Sequence, residues 1–144
     1  MTTSLKEYFQ QDSFANHLGI CIEELNHGFA TVSMKVTEDM LNFHKSANGG
    51  AIFSLADAAF ACASNSHGQT AVGVNVSIHF VDAAAAGDTL TAIAKEDNKS
   101  YKLGLYRIEV YNQHDTLIAL AEGLVYRKKE QFIDSEQLLS QRST

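Results

Sequence analysis

A single carboxylate, Asp57, stands in the middle of an otherwise apolar run. Ala51, Ile52, Phe53, Leu55 and Ala56 precede it; Ala58, Ala59, Phe60, Ala61, Cys62 and Ala63 follow. An Asp buried without a partner is costly. Two readings are open. Backbone or hydroxyl donors satisfy it, for instance at a subunit contact, or it is a base whose basicity the apolar surroundings raise. Its nearest polar helical neighbours are Ser54 at i−3 and Ser64 at i+7, a narrow polar stripe. Upstream, Gly49-Gly50 follows Asn48. Free N–H groups at a helix start, with the helix dipole, favour a carbonyl oxygen that gains negative charge. Two glycines equally permit a tight loop-to-helix turn. Gly49 and Asp57 are eight residues apart, about 12 Å along a helix axis at 1.5 Å per residue. An oxyanion donor and a base must both lie about 3 Å from the reacting atoms. If both serve one reaction, Asp57 comes from a second chain and the site lies at a dimer interface.

The elements that position these residues follow from periodicity. Apolar positions Leu5, Tyr8, Phe9 and Phe14 predict a short amphipathic helix over about residues 4–16. Ala30, Val32, Met34 and Val36 alternate with polar residues, the pattern of a half-buried strand, and His27-Gly28 turns before it. Residues 40–50 are rich in Asn, Ser and Gly and read as loop. Asn48 is a good N-cap for a helix from Gly49 or Gly50 to about Ser66. Beyond it the chain reads as strands. Val72 to Phe80 alternates; Gly87-Asp88 turns into Leu90–Ala94; Asp97-Asn98 turns into a strand with Tyr106, Ile108 and Val110; His114-Asp115 turns into residues 117–126. Short turns between long strands favour antiparallel pairing. The tail from about residue 129 is polar and loses the period; it reads as a terminal helix or a frayed end. The layout is α+β, one helix laid on a curved antiparallel sheet.

The whole chain, 144 residues, reads as one domain. At 45% hydrophobic and 19% charged it is neither disordered nor a disulfide scaffold. A net charge of −6 argues against a nucleic-acid partner. Cys21 and Cys62 are far apart, lack metal-type spacing and read as reduced thiols, which suits the cytoplasm. No leader peptide is read in the first residues, and no run reaches a membrane span.

The motif Asn42-Phe43-His44-Lys45-Ser46-Ala47-Asn48-Gly49-Gly50, followed by Phe53-Ser54-Leu55-Ala56-Asp57-Ala58-Ala59-Phe60-Ala61 and Asn65-Ser66, resembles the signature of the PaaI-type hotdog-fold acyl-CoA thioesterases of phenylacetic acid degradation. Gly87-Asp88, the strand from Tyr106 to Val110 and Ala121-Glu122-Gly123 are similar too. The resemblance covers about residues 18–127. It implies a hotdog fold, a curved antiparallel sheet wrapped around one long central helix. It implies subunits paired into a continuous sheet, with dimers usually joining as a homotetramer. The implied substrate is an acyl-CoA, with phenylacetyl-type aryl groups among those expected, cleaved to free acid and CoA without a cofactor. In the resemblance Asp57 is the general base or nucleophile, Gly49 the backbone oxyanion donor and Asn42 an orienting group for substrate or water. Gly50 keeps the approach open. Outside those four roles, Asn48 and His44 are candidate substrate contacts, His44 because it lies near Asn42; its other reading is a loop His with a backbone partner.

Two departures stand out. The family usually has His-Gly-Gly where this chain has Asn48-Gly49-Gly50, and Phe80-Val81-Asp82-Ala83 lacks the Arg-Pro often found there. Where some relatives carry a Ser or Thr, the strand has Gly73, with Asn75 and Ser77 nearby; none is given a role. The Asn48 departure motivates an alternative, a hotdog that binds acyl-CoA without turning it over. A hydratase on the same fold would need a His paired with an Asp, which the spacing does not offer. The six histidines form no metal motif, and there is no GxSxG or phosphate-binding glycine loop. Lys99, Lys102 and Arg127-Lys128-Lys129 read as solvated strand ends, or as partners for CoA phosphates.

Overall fold

A computed structural model describes residues 4–133. Two short helices open the chain, α1 (Leu5–Phe9) and α2 (Ser13–His17). The single helix expected over residues 4–16 is broken because Asp12 starts a second one: its carboxylate accepts the Ala15 N–H at 3.0 Å. Strands β1 (Cys21–Asn26) and β2 (Phe29–Lys35) form a hairpin. A short 3-10 turn, Glu38–Met40, leads to the central helix α3, Gly49–Ser64. Then come β3 (Gln69–Phe80), β4 (Thr89–Lys99), β5 (Leu103–Tyr111) and β6 (Leu117–Gln131). The six strands form one antiparallel sheet in the order β1-β2-β4-β5-β6-β3. With α3 packed against this curved sheet, the fold is the hotdog.

Alternation sets which side chains face α3. Val32 and Met34 of β2, Leu90, Ala92 and Ala94 of β4, Tyr106, Ile108 and Val110 of β5 and Ala121 and Val125 of β6 are all buried. They meet Ile52, Leu55, Ala56, Ala59, Phe60 and Ala63 of α3. Phe60 is seated most tightly: a Cβ on Gly123 would lie 2.6 Å from its ring, and Tyr106 meets it edge-on at 5.8 Å. Removing such a ring typically costs about 3–5 kcal/mol.

Three expectations change. The turn expected at Asp97-Asn98 falls later, at residues 100–102: a bulge between Glu96 and Asn98 carries β4 on to Lys99. Strand β6 continues to Gln131, so the polar tail begins as paired strand; its remainder lies outside the described residues. Third, β3 pairs not with the strand that follows it but with β6, and so becomes an edge. Its free edge runs twelve residues, with Val74 and Phe80 more than half exposed. No described helix is long and apolar enough to cross a membrane.

Candidate active site

The start of α3 is built by its cap. Asn48 Oδ1 accepts the Gly50 N–H at 2.7 Å, and the Asn48 and Ala47 N–H groups donate to Met40 and Ala84 carbonyls at 2.8 Å. The Gly49 N–H has no acceptor among the described residues. Gly49 lines a hollow of about 450 Å³ together with Asn42, Ala47, Ile52, Phe80, Val81, Asp82 and Ala83. The Phe80 ring covers Gly49 so closely that a Cβ there would lie 3.2 Å from it.

Asn42 shapes the preceding loop. Its Oδ1 accepts the N–H groups of His44 at 2.9 Å and Ser46 at 3.3 Å, an Asx turn. With that oxygen occupied, the amide nitrogen is the end of Asn42 left to donate. The structure thus brings Asn42 and Gly49 to one hollow. His44 is exposed, its ring 4.3 Å from that of the exposed Phe43, and it does not line the hollow. Gly50 is exposed; its carbonyl accepts the Ser54 hydroxyl at 2.7 Å.

Asp57 lies elsewhere. It projects from the middle of α3 on a face that is open in a single chain. The helix is therefore not covered on all sides within one subunit, and Ser64 does not extend the stripe, being buried with its hydroxyl on the Ala61 carbonyl. The protein packed around Asp57 still desolvates its carboxyl and pushes its pKa up, and the negative charge of Asp12 adds to this. No described side chain forms a salt bridge or hydrogen bond with it. An unbroken α3 keeps Asp57 about 12 Å from Gly49 along the axis.

Sequence reasoning missed Phe80, Ile52 and the segment 81–83 as walls of the hollow. Alternation placed Phe80 at a strand end, but only the fold lays it on Gly49. Among the basic residues, Arg127 is not a solvated strand end. It points inward and is 7% exposed, with Nη2 on Gln69 Oε1 at 2.6 Å. Lys99, Lys102, Lys128 and Lys129 are exposed. No group of metal-ligating side chains occurs among the described residues.

The sequence model of the Thioesterase superfamily matches residues 44–119, from the Asn42 loop into β6. The chain belongs to the thioesterase superfamily. It is a thioester hydrolase. It is 45% identical over 119 residues to the acyl-coenzyme A thioesterase PaaI of Escherichia coli, covering 83% of this chain and 85% of that one. It is also 45% identical over 133 residues to a putative esterase of Archaeoglobus fulgidus, covering 92% and 86%. The structure of the E. coli PaaI protein superposes with a TM-score of 0.85 at 41% identity, over 90% of this chain and 99% of that one.

Proposed function

We propose that this thioesterase hydrolyses acyl-CoA in a site shared by two copies of the chain. The Gly49 N–H of one copy and Asp57 of the other act on one thioester. The observation that carries this reading is the unpaired Gly49 N–H at the start of a helix whose only carboxylate is a full 12 Å away by the rise of about 1.5 Å per residue. The free edge of β3 supports it, because a long unpaired strand with exposed Val74 is a template for a second β3. Such a pairing is isologous, so it makes two identical sites. Whether dimers join further as a tetramer is part of the same proposal, as is the cytoplasm, which the two free thiols suit.

In this reading the thioester carbonyl oxygen lies on the Gly49 N–H, strengthened by the helix dipole. Asn42 donates its amide N–H to substrate or to the attacking water. Asp57, with its raised pKa, takes the water's proton as oxygen attacks the carbonyl carbon. The tetrahedral intermediate collapses, the C–S bond breaks and the CoA thiolate leaves to be protonated. Asn48, in place of the family's usual His, serves the helix start through its bond to Gly50.

Thiol release from a panel of aryl and aliphatic acyl-CoAs tests the activity. Complementation tests the shared site. Asp57→Ala and Gly49→Pro are each expected to be inactive. Remixed after mild denaturation, they regain up to about a quarter of wild-type sites, because a mixed dimer holds one intact pair. No recovery in a mixture shown to exchange subunits overturns the shared site.

A further inference from the structure

Besides the hollow at Gly49, a cleft of about 830 Å³ separates the N-terminal helices from α3. That size falls in the range of small-molecule sites. Its helix wall is Ala58, Ala61 and Cys62, the residues just past Asp57. Ala61 is one turn on from Asp57, about 6 Å along the axis, on the same face. The opposite wall carries Tyr8, Phe9 and Asp12, with Ile20 and Ile22 toward the sheet. Of the polar side chains on these walls, Asn65, Asp12 and Asn16 hold backbone partners, while Lys6, Gln10, Gln11 and Thr70 also line the cleft. Asn65 donates to the Ala61 and Ala71 carbonyls at 2.9 and 3.2 Å, and Asp12 accepts the Ala15 N–H. Small residues on one side and rings on the other leave room for an apolar group that asks for no hydrogen bond.

We infer that this cleft receives the acyl group of the thioester, with its carbonyl at the Asp57 end, and that Asp12 biases it toward neutral acyl groups over acidic ones. The inference rests on the acyl-CoA reading above and adds the place and chemistry of the acyl end. Asp12 lines the cleft, as Lys6 does, and its negative charge adds to burial in raising Asp57 and in pushing the Cys62 thiol up to about 12. A carboxylate at the far end of an acyl chain would meet the same repulsion in a poorly solvated space. Octanoyl or phenylacetyl groups fit this description; an ω-carboxylated chain of the same length does not.

Two measurements test it. In Ala61→Phe the new ring fills the cleft, and the ratio of kcat/KM for octanoyl-CoA to that for acetyl-CoA should fall about tenfold; an unchanged ratio in a folded variant overturns the inference. In the wild-type protein, a non-hydrolysable ketone analogue of octanoyl-CoA should shift the NMR signals of the Ala58 and Ala61 methyl groups, and CoA alone should not. Unmoved methyls with bound analogue also overturn it. Methyl shifts without thiol release from any acyl-CoA would support the cleft while sinking the hydrolytic reading, so the two fail separately. Wild type should prefer octanoyl-CoA to its ω-carboxylated counterpart. Asp12→Asn, which still caps α2, should narrow that preference about threefold or more; equal use of both substrates by the wild type overturns the charge bias.

Discussion

The two ends of α3 are treated in opposite ways. At its C-terminal end the capping side chains are engaged. Asn65 N–H and Nδ2 donate to the Ala61 carbonyl, and Ser66 Oγ donates to that of Ala63 at 2.7 Å while accepting the Gly28 N–H at 2.7 Å. Beyond them Glu96 Oε2 takes the Tyr106 hydroxyl at 2.8 Å and sits 2.7 Å from His67 Nε2. Gly28, at φ +61, lies so close to Glu96 that a Cβ would fall 2.5 Å from its carboxylate. At the N-terminal end the Gly49 N–H is open, the hollow is open, and the adjoining β3 edge is unpaired. One end anchors the helix in the sheet; the other presents backbone groups to something outside the chain. A rigid anchor at one end is what lets a bare N–H be held in place at the other.

Breaking the open end should cost activity first. Asp57→Asn is expected to lower thiol release by about 10²–10⁴-fold with an unchanged circular dichroism spectrum, since Asp57 supports no hydrogen bond or ion pair within the chain. Turnover near wild type would sink the assigned base. Gly49→Pro comes next. Gly49 is the first residue of α3, a position that proline tolerates, so the helix should persist while the donor is gone, and kcat should fall by about 10²–10³-fold.

Breaking the closed end should cost stability instead. Glu96→Ala strands the His67 and Tyr106 polar groups and is expected to lower unfolding stability in urea by about 2–3 kcal/mol, with turnover kept at temperatures where the variant is folded. A larger loss of turnover than of stability would mean the two ends are not separable. Asn48→Ala, back at the open end, removes a cap worth about 1 kcal/mol and should affect both quantities modestly.

The smallest effect sharpens the contrast by sign. Asp57 is raised by burial, so its contribution to stability is full below the ordinary Asp value of about 3.9 and is lost as pH climbs through its folded value. Burial pushes Glu96 up as well, but the bonds from His67 and Tyr106, with the charges of His67 and Lys99, together hold it below its ordinary value. Its contribution is full above about 4.3 and is lost as pH falls through its folded value. The stability difference between wild type and Asp57→Asn should therefore shrink or turn negative with rising pH, and that between wild type and Glu96→Gln should grow. Equal slopes in urea titrations would remove the electrostatic contrast.

Much of the open end was legible. Asn48, two glycines and a lone Asp two turns on are local signals, since capping and helical rise depend only on neighbours in the chain. The closed end was not. His67, Glu96 and Tyr106 belong to a loop and two strands with no common spacing, and Gly28 belongs to a distant hairpin. The Asp97-Asn98 pair reads as a turn because those residues favour turns, yet β4 absorbs it as a bulge because pairing with β5 continues on either side. Arg127 reads as surface charge because it heads a run of basic residues at a strand end, whereas strand alternation turns it inward.

The sequence alone determined the helix start, the alternation of each strand and the impossibility of Gly49 and Asp57 meeting on one helix, because these follow from 1.5 Å of rise and a period of two. Tertiary structure alone decided that β3 leaves its sequence neighbour to pair with β6, that Phe80 thereby comes to lie on Gly49, and that Glu96 gathers His67 and Tyr106. Those contacts join residues far apart in the chain, and only the packing of the whole sheet against α3 selects among the pairings that local propensity leaves open.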